Sequence, residues 1–131
     1  MLIFYNLFIA LYHLAVRLVA LWNPKAKEWL EGRKNWAKLL EKQLDKDSSW
    51  IWVHCASAGE FEQGKPVIEK IKNIYPSYKV LVTFFSPSGF NAGKKYNHAD
   101  HISYLPLDTK LNAAQFLDII NPTLVVFVKY D

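Results

Sequence analysis

A single cysteine, Cys55, stands among 131 residues, which excludes an internal disulfide and points to a reducing compartment. Metal-ligand spacing is also missing, because His13, His54, His98 and His101 are scattered and no second cysteine joins them. Internal repeats and low-complexity tracts are absent. No positive charge precedes the apolar N-terminal run and no small-residue cleavage site follows it, which argues against a signal peptide. The aromatics sit in apolar runs instead of alternating with Lys and Arg as stacking platforms, which argues against a nucleic-acid partner. What the chain does have is apolar. At 51% hydrophobic and 15% aromatic it can fill the core of one small domain, with apolar surface left over for another destination.

The surplus is concentrated at the start. Residues 1–22 are almost continuously apolar and would span about 30 Å as a helix, enough for a bilayer core. The exceptions, Asn6, His13 and Arg17, are spaced by seven and four residues and share one helical face. That stripe favours a helix lying in the membrane interface, or docked by its polar face on the protein. A spanning anchor and a buried core helix are the alternatives. Lys25, Lys27, Arg33, Lys34, Lys38, Lys42 and Lys46 follow directly, and basic residues there suit an anionic membrane surface and hold the remainder on the cytoplasmic side. Asn23-Pro24 ends the first helix, since proline disfavours helical geometry in the residue before it. Residues 23–48 read as a basic helical connector, one helix or two, with Trp29, Trp36, Leu39 and Leu40 as its apolar contacts and Gly32 as a weak point.

From Trp50 the pattern alternates between strand and helix. Strands are expected at Trp50–Cys55, Lys79–Phe85, His101–Leu105 and Thr123–Val128, and helices at Glu60–Tyr75, Pro87–Tyr96 and Thr109–Ile120. Apolar runs without strict alternation, joined by helices, predict an α/β fold: a Rossmann-like parallel sheet covering residues 49–131, helices on both faces. The sequence stops after an apolar strand at the ligand-binding edge of that sheet, and is expected to be a truncated piece of a longer protein.

Right-handed crossovers bring the start of each helix to one edge of such a sheet, where ligands bind. Three segments should converge there. Ser57-Ala58-Gly59-Glu60 fits a capping box, and the same carboxylate can serve as a general base. Ser86-Pro87 is a good helix start, and Ser86, Ser88 and Gly89 would also suit a phosphate or carboxylate, with Gly89 admitting a ligand close to the backbone. Asp108 is expected to cap the third helix. His54, at the end of the first strand, either orients this loop or the acceptor, or is a satisfied buried histidine. Cys55 is read as packing.

The ordered set His54, Ser57, Gly59, Glu60, then Ser86, Ser88, Gly89, then Leu105, Pro106 and Asp108 resembles the N-terminal half of the 3-deoxy-manno-octulosonic acid (Kdo) transferases. The resemblance runs from the apolar N-terminus to Asp131. It implies the acceptor-side half of a GT-B glycosyltransferase of lipopolysaccharide synthesis. Kdo would pass from CMP-Kdo to a lipid A precursor, without metal or cofactor, at the cytoplasmic face of the inner membrane. On that resemblance Glu60 is the catalytic base, and His54, Ser57, Gly59, Ser86, Ser88 and Gly89 bind substrate. The donor would be held chiefly by a second domain absent from this sequence, so residues 1–131 alone are expected to be inactive. One departure stands out: many members carry an E-T-E-like triplet after the fourth strand, where this chain has Lys129-Tyr130-Asp131. Lys129 and Asp131 are expected substrate contacts: Asp131 keeps a carboxylate at the last position and Lys129 reverses the charge at the first, giving either a variant form of the site or different acceptor contacts. A non-catalytic, membrane-docked α/β module binding an anionic partner, and a different GT-B transferase, are the rival readings.

Overall fold

The computed structural model describes residues 1–129. Its centre is a sheet of four parallel strands, β1 (Trp50–Cys55), β2 (Lys79–Phe84), β3 (His101–Tyr104) and β4 (Leu124–Val128), in the order β3-β2-β1-β4. The strands lie where the apolar runs placed them. β2 stops one residue short because the amide of Phe85 turns away to the carbonyl of Ala56. With α1 (Leu2–Val19), α2 (Pro24–Glu31) and α3 (Trp36–Gln43) ahead of the sheet, its crossovers are α4 (Ala58–Ile74), α5 (Pro87–Gly93) and α6 (Lys110–Ile120). The strand order turns back between β1 and β4, which makes the carboxyl ends of these two strands the switch point of the sheet.

Alternation along β1 divides the core. Ile51, Val53 and Cys55 face Phe61 and Ile68 of α4, together with Val80, Val82 and Phe84 of β2. Trp50 and Trp52 face the other way, onto Leu40 and Leu44 from the α3 region and Phe116 and Ile120 of α6. Both faces are covered, as continuous apolar strands require. The segment read as a connector is thus part of the core: α3 packs beside α6, and Trp29 of α2 is only 5% exposed.

α1 ends at Val19, earlier than the expected stop at Asn23-Pro24. After a short turn Asn23 starts α2, its side chain accepting from the amides of Lys25 and Ala26 while Pro24 takes the first helical turn. Gly32 follows α2 because a β-carbon there would stand 2.2 Å from the ring of Tyr104. The break is a close approach between connector and β3. The left-handed Asn35 (φ 53°) then redirects the chain into α3.

α1 buries no residue. Its inner side meets α2 through Tyr12 and His13 against the ring of Trp29, while Leu7, Leu11, Leu14 and Leu18 remain 53–56% exposed on the outside. Of the polar stripe, His13 is half-buried against the protein and Asn6 and Arg17 are exposed along its border.

Candidate active site

At the switch point, Ala56 is the hub. Its carbonyl accepts from the amides of Phe85 (3.2 Å) and Ser86 (2.9 Å), stitching the loop after β1 to the loop after β2. Its own amide donates to Oε2 of Glu60. The Ser57 hydroxyl caps α4 by accepting from the Glu60 amide at 3.3 Å, as half of a capping box. The other half is displaced by one residue: the Glu60 carboxylate takes the amide of Ala56 instead of that of Ser57. One carboxylate oxygen is therefore structural. The other, Oε1, has no hydrogen-bond partner among the described residues, so cap and base do not compete for the same atom.

Ser57–Glu60 and Ser86–Gly89 converge as expected. Ser86 caps α5 by accepting from the Gly89 amide at 3.1 Å, and the Ser86 and Ser88 hydroxyls lie 3.1 Å apart. Gly89 corrects its expected role. It is buried, and a β-carbon there would stand 2.8 Å from Phe84 and 3.1 Å from the backbone of Ser57, so protein fills the space that a ligand was expected to use. Gly59, exposed with open space beyond it, is the glycine that leaves the loop surface bare. Asp108 is a second correction. Thr109 caps α6 by accepting from the Asn112 amide, and the Asp108 carboxylate accepts instead from the Tyr5 hydroxyl of α1.

His54 points to the α6 face. Trp52 Nε1 donates to the Thr83 hydroxyl at 2.8 Å, and that hydroxyl lies 2.9 Å from Nδ1 of His54. Thr83 is fully buried and its hydroxyl has His54 as its remaining partner. Trp52 is a donor only, and which of the Thr83 hydroxyl and Nδ1 donates to the other follows the tautomer of the imidazole. Burial lowers the pKa of His54, the charge of Glu60 and the backbone of Thr83 opposing the effect and the charge of Arg33 adding to it. Beside it runs an apolar groove of about 510 Å³ lined by Trp52, Leu105, Pro106, Phe116, Leu117 and Phe127. Phe127 packs edge-on to the His54 ring and is 61% exposed.

Arg33 is the residue whose role sequence reasoning missed. Its guanidinium donates to the carbonyls of Leu105 (2.9 Å), Trp29 (3.0 Å) and Phe85 (2.9 Å) and lies 3.9 Å over the Trp29 ring, with Phe85 and Tyr104 closing the cage. It thereby clamps the connector to the ends of both β2 and β3. Burial pulls its pKa down to about 10. The only signal for it in the sequence was its place near Trp36 in the basic segment, one charge among many.

Lys129 is exposed after β4 and, by the pairing of Cys55 with Val128, follows the strand end beside Ala56. Asp131 lies outside the described residues. The Cys55 thiol is fully buried and pushed up to about 12 by burial, which makes it inert packing. No cluster of His, Cys, Asp and Glu suited to a metal ion occurs among the described residues.

A parallel α/β sheet with a glutamate in the first helical turn at its switch point is a Rossmann-like arrangement. The chain belongs to the 3-deoxy-D-manno-octulosonic-acid transferase (kdotransferase) family, which matches residues 15–131. It is 31% identical over 116 residues to a bifunctional glycosyltransferase/methyltransferase of Fusobacterium nucleatum, covering 85% of this chain and 18% of that protein. To the 3-deoxy-D-manno-octulosonic acid transferase of Aquifex aeolicus it is 31% identical over 80 residues, 60% of this chain and 22% of the relative. The Haemophilus influenzae transferase is 28% identical over 80 residues, 60% and 19% of the two chains. The chain thus spans about a fifth of the length of these curated relatives. No solved structure matches it.

Proposed function

We propose that this chain is the acceptor-side portion of a glycosyltransferase that moves Kdo from CMP-Kdo to a lipid A precursor in lipopolysaccharide synthesis. The observation that carries the reading is the divided carboxylate of Glu60, one oxygen tied to Ala56 and the other without a partner at the switch point. In the reaction the acceptor hydroxyl gives its proton to Oε1, its oxygen forms the bond to the anomeric carbon of Kdo, and the bond to the CMP phosphate breaks with its electron pair leaving on CMP. His54 offers Nε2–H to an acceptor oxygen, and Ser57, Ser86 and Ser88 supply hydroxyls around it. Lys129 and Asp131 complete the acceptor contacts after β4. The apolar groove beside His54 suits a lipid acceptor. The donor is bound chiefly by the part of the relatives' length that this chain does not span.

The same reading puts the protein on the cytoplasmic face of the inner membrane, docked through α1. Its support is a helix of 18 residues with mean hydropathy 1.8 and no buried share, followed by Lys25, Lys27 and Lys34. The decisive test is Glu60→Gln in the full-length transferase. A glutamine still accepts from Ala56, so thermal stability should hold while transfer to the lipid acceptor falls by orders of magnitude. Near-normal turnover by a folded Glu60→Gln enzyme would return Glu60 to capping alone.

A further inference from the structure

We propose that the cavity between α1, the α2–α3 turn and the start of α6 is a binding pocket for the phosphate of an anionic membrane phospholipid. The pocket has a volume of about 320 Å³ and brings together His13 and Arg17 of α1 with Arg33 and Lys34, alongside the polar Asn112. No Asp or Glu lines it among the described residues. The ion pairs of the described chain lie elsewhere, at Lys65–Glu62, Lys72–Asp100 and Lys79–Asp45. A cluster of like charges without a counter-charge repels itself, and an anion in the cavity removes that repulsion.

Arg33 is equipped for it. Of the five N–H groups of a guanidinium, three are committed to the carbonyls of Leu105, Trp29 and Phe85, and two remain. The clamp thus holds the charge in place before a ligand arrives, so little ordering is needed on binding.

The position identifies the source of the phosphate. Arg17 is flanked by Leu14 and Leu18 on its own helix and by Leu21 just beyond its end, all of them exposed. A cation cluster at the border of an outward apolar face sits at the depth of lipid headgroups when that face enters the acyl region. None of His54, Ser57, Glu60 or Ser86 lines this pocket, which adjoins the apolar acceptor groove through the shared Leu107 and grips the bilayer beside it.

The inference rests on α1 docking to membrane, and the test separates the two. The chain is partitioned onto vesicles of phosphatidylcholine alone and of phosphatidylcholine with phosphatidylglycerol. Binding should occur on both and be stronger on the second. Arg17→Gln and Lys34→Gln should each reduce only the phosphatidylglycerol-dependent gain, by about fivefold per cation removed. Lys70→Gln, the same charge change on α4, should leave the gain unchanged, and the charge-keeping pair Arg17→Lys with Lys34→Arg should restore most of it. Absence of binding to either vesicle overturns membrane docking itself. Equal binding to both vesicles, or equal losses from Lys70→Gln and Arg17→Gln, overturns the pocket and leaves docking in place.

Discussion

The Thr83 hydroxyl accepts the indole N–H of Trp52 and lies 2.9 Å from Nδ1 of His54, so one buried threonine ties the histidine beside the candidate base to the core. Thr83→Val removes that hydroxyl and leaves the buried Trp52 N–H without its partner, at a cost of about 1–3 kcal/mol. Nitrogen NMR of the imidazole should then report a shifted tautomer balance, because Nδ1 has lost its hydroxyl partner. Thr83→Ser should keep both the stability and the tautomer.

Acid should weaken the fold through histidine. Burial lowers the pKa of both His54 and His101 in the folded state. A depressed pKa stabilises the fold above the unfolded value of about 6.5 and loses that contribution as pH falls through the folded value. The melting temperature should therefore hold near neutrality and drop below about pH 6.5. His54→Asn should flatten part of that decline.

Two glycines in neighbouring loops should respond oppositely to the same substitution. Gly89→Ala forces a methyl to within 2.8 Å of Phe84 and 3.1 Å of the Ser57 backbone, and should cost about 1–3 kcal/mol by overpacking. Gly59→Ala meets nothing closer than the Ser57 hydroxyl at 3.9 Å. Denaturant melts should separate the two variants clearly, with Gly59→Ala close to the parent.

Arg33→Lys keeps the charge and loses the fork. An ammonium cannot reach the carbonyls of Trp29, Phe85 and Leu105 together, nor lie flat on the Trp29 ring. The loss should exceed about 1.5 kcal/mol, the worth of one hydrogen bond to a charged group. Hydrogen exchange should rise first at the amides of Phe85 and Leu105, whose carbonyls the clamp holds.

Deleting residues 2–19 should release the chain from membranes and leave the sheet folded, at the cost of exposing Trp29 where Tyr12 and His13 now cover it. High salt alone should release the intact chain only in part, since screening weakens charge attraction and spares apolar burial. Complete release by salt would show that α1 does not enter the lipid.

The sheet was legible because β1, β2 and β4 are largely apolar runs closed by turn signals, and the convergence of Ser57–Glu60 with Ser86–Gly89 followed from crossover geometry alone. What escaped were side-chain partnerships across long sequence separations. Thr83 reads as one more β-branched residue in Lys79–Phe84, and nothing local says that its hydroxyl spans Trp52 and His54. Arg33 bonds a carbonyl 72 residues away, at Leu105. Asp108 looked like a cap because it precedes a helix, but Thr109 sits one residue nearer and takes that role. Gly89 looked like room for a ligand, and only the packed structure reveals that Phe84 and Ser57 already occupy it.

The first helix is also written unevenly. Leu7, Leu11, Leu14 and Leu18 touch no core, so any of them should tolerate exchange for another apolar residue over long sequence drift. Tyr5, bonded to Asp108, and Tyr12 and His13, against Trp29, leave no such latitude. Among homologues, the outer face of this helix should therefore vary in identity while keeping its hydropathy, and the inner face should keep its letters.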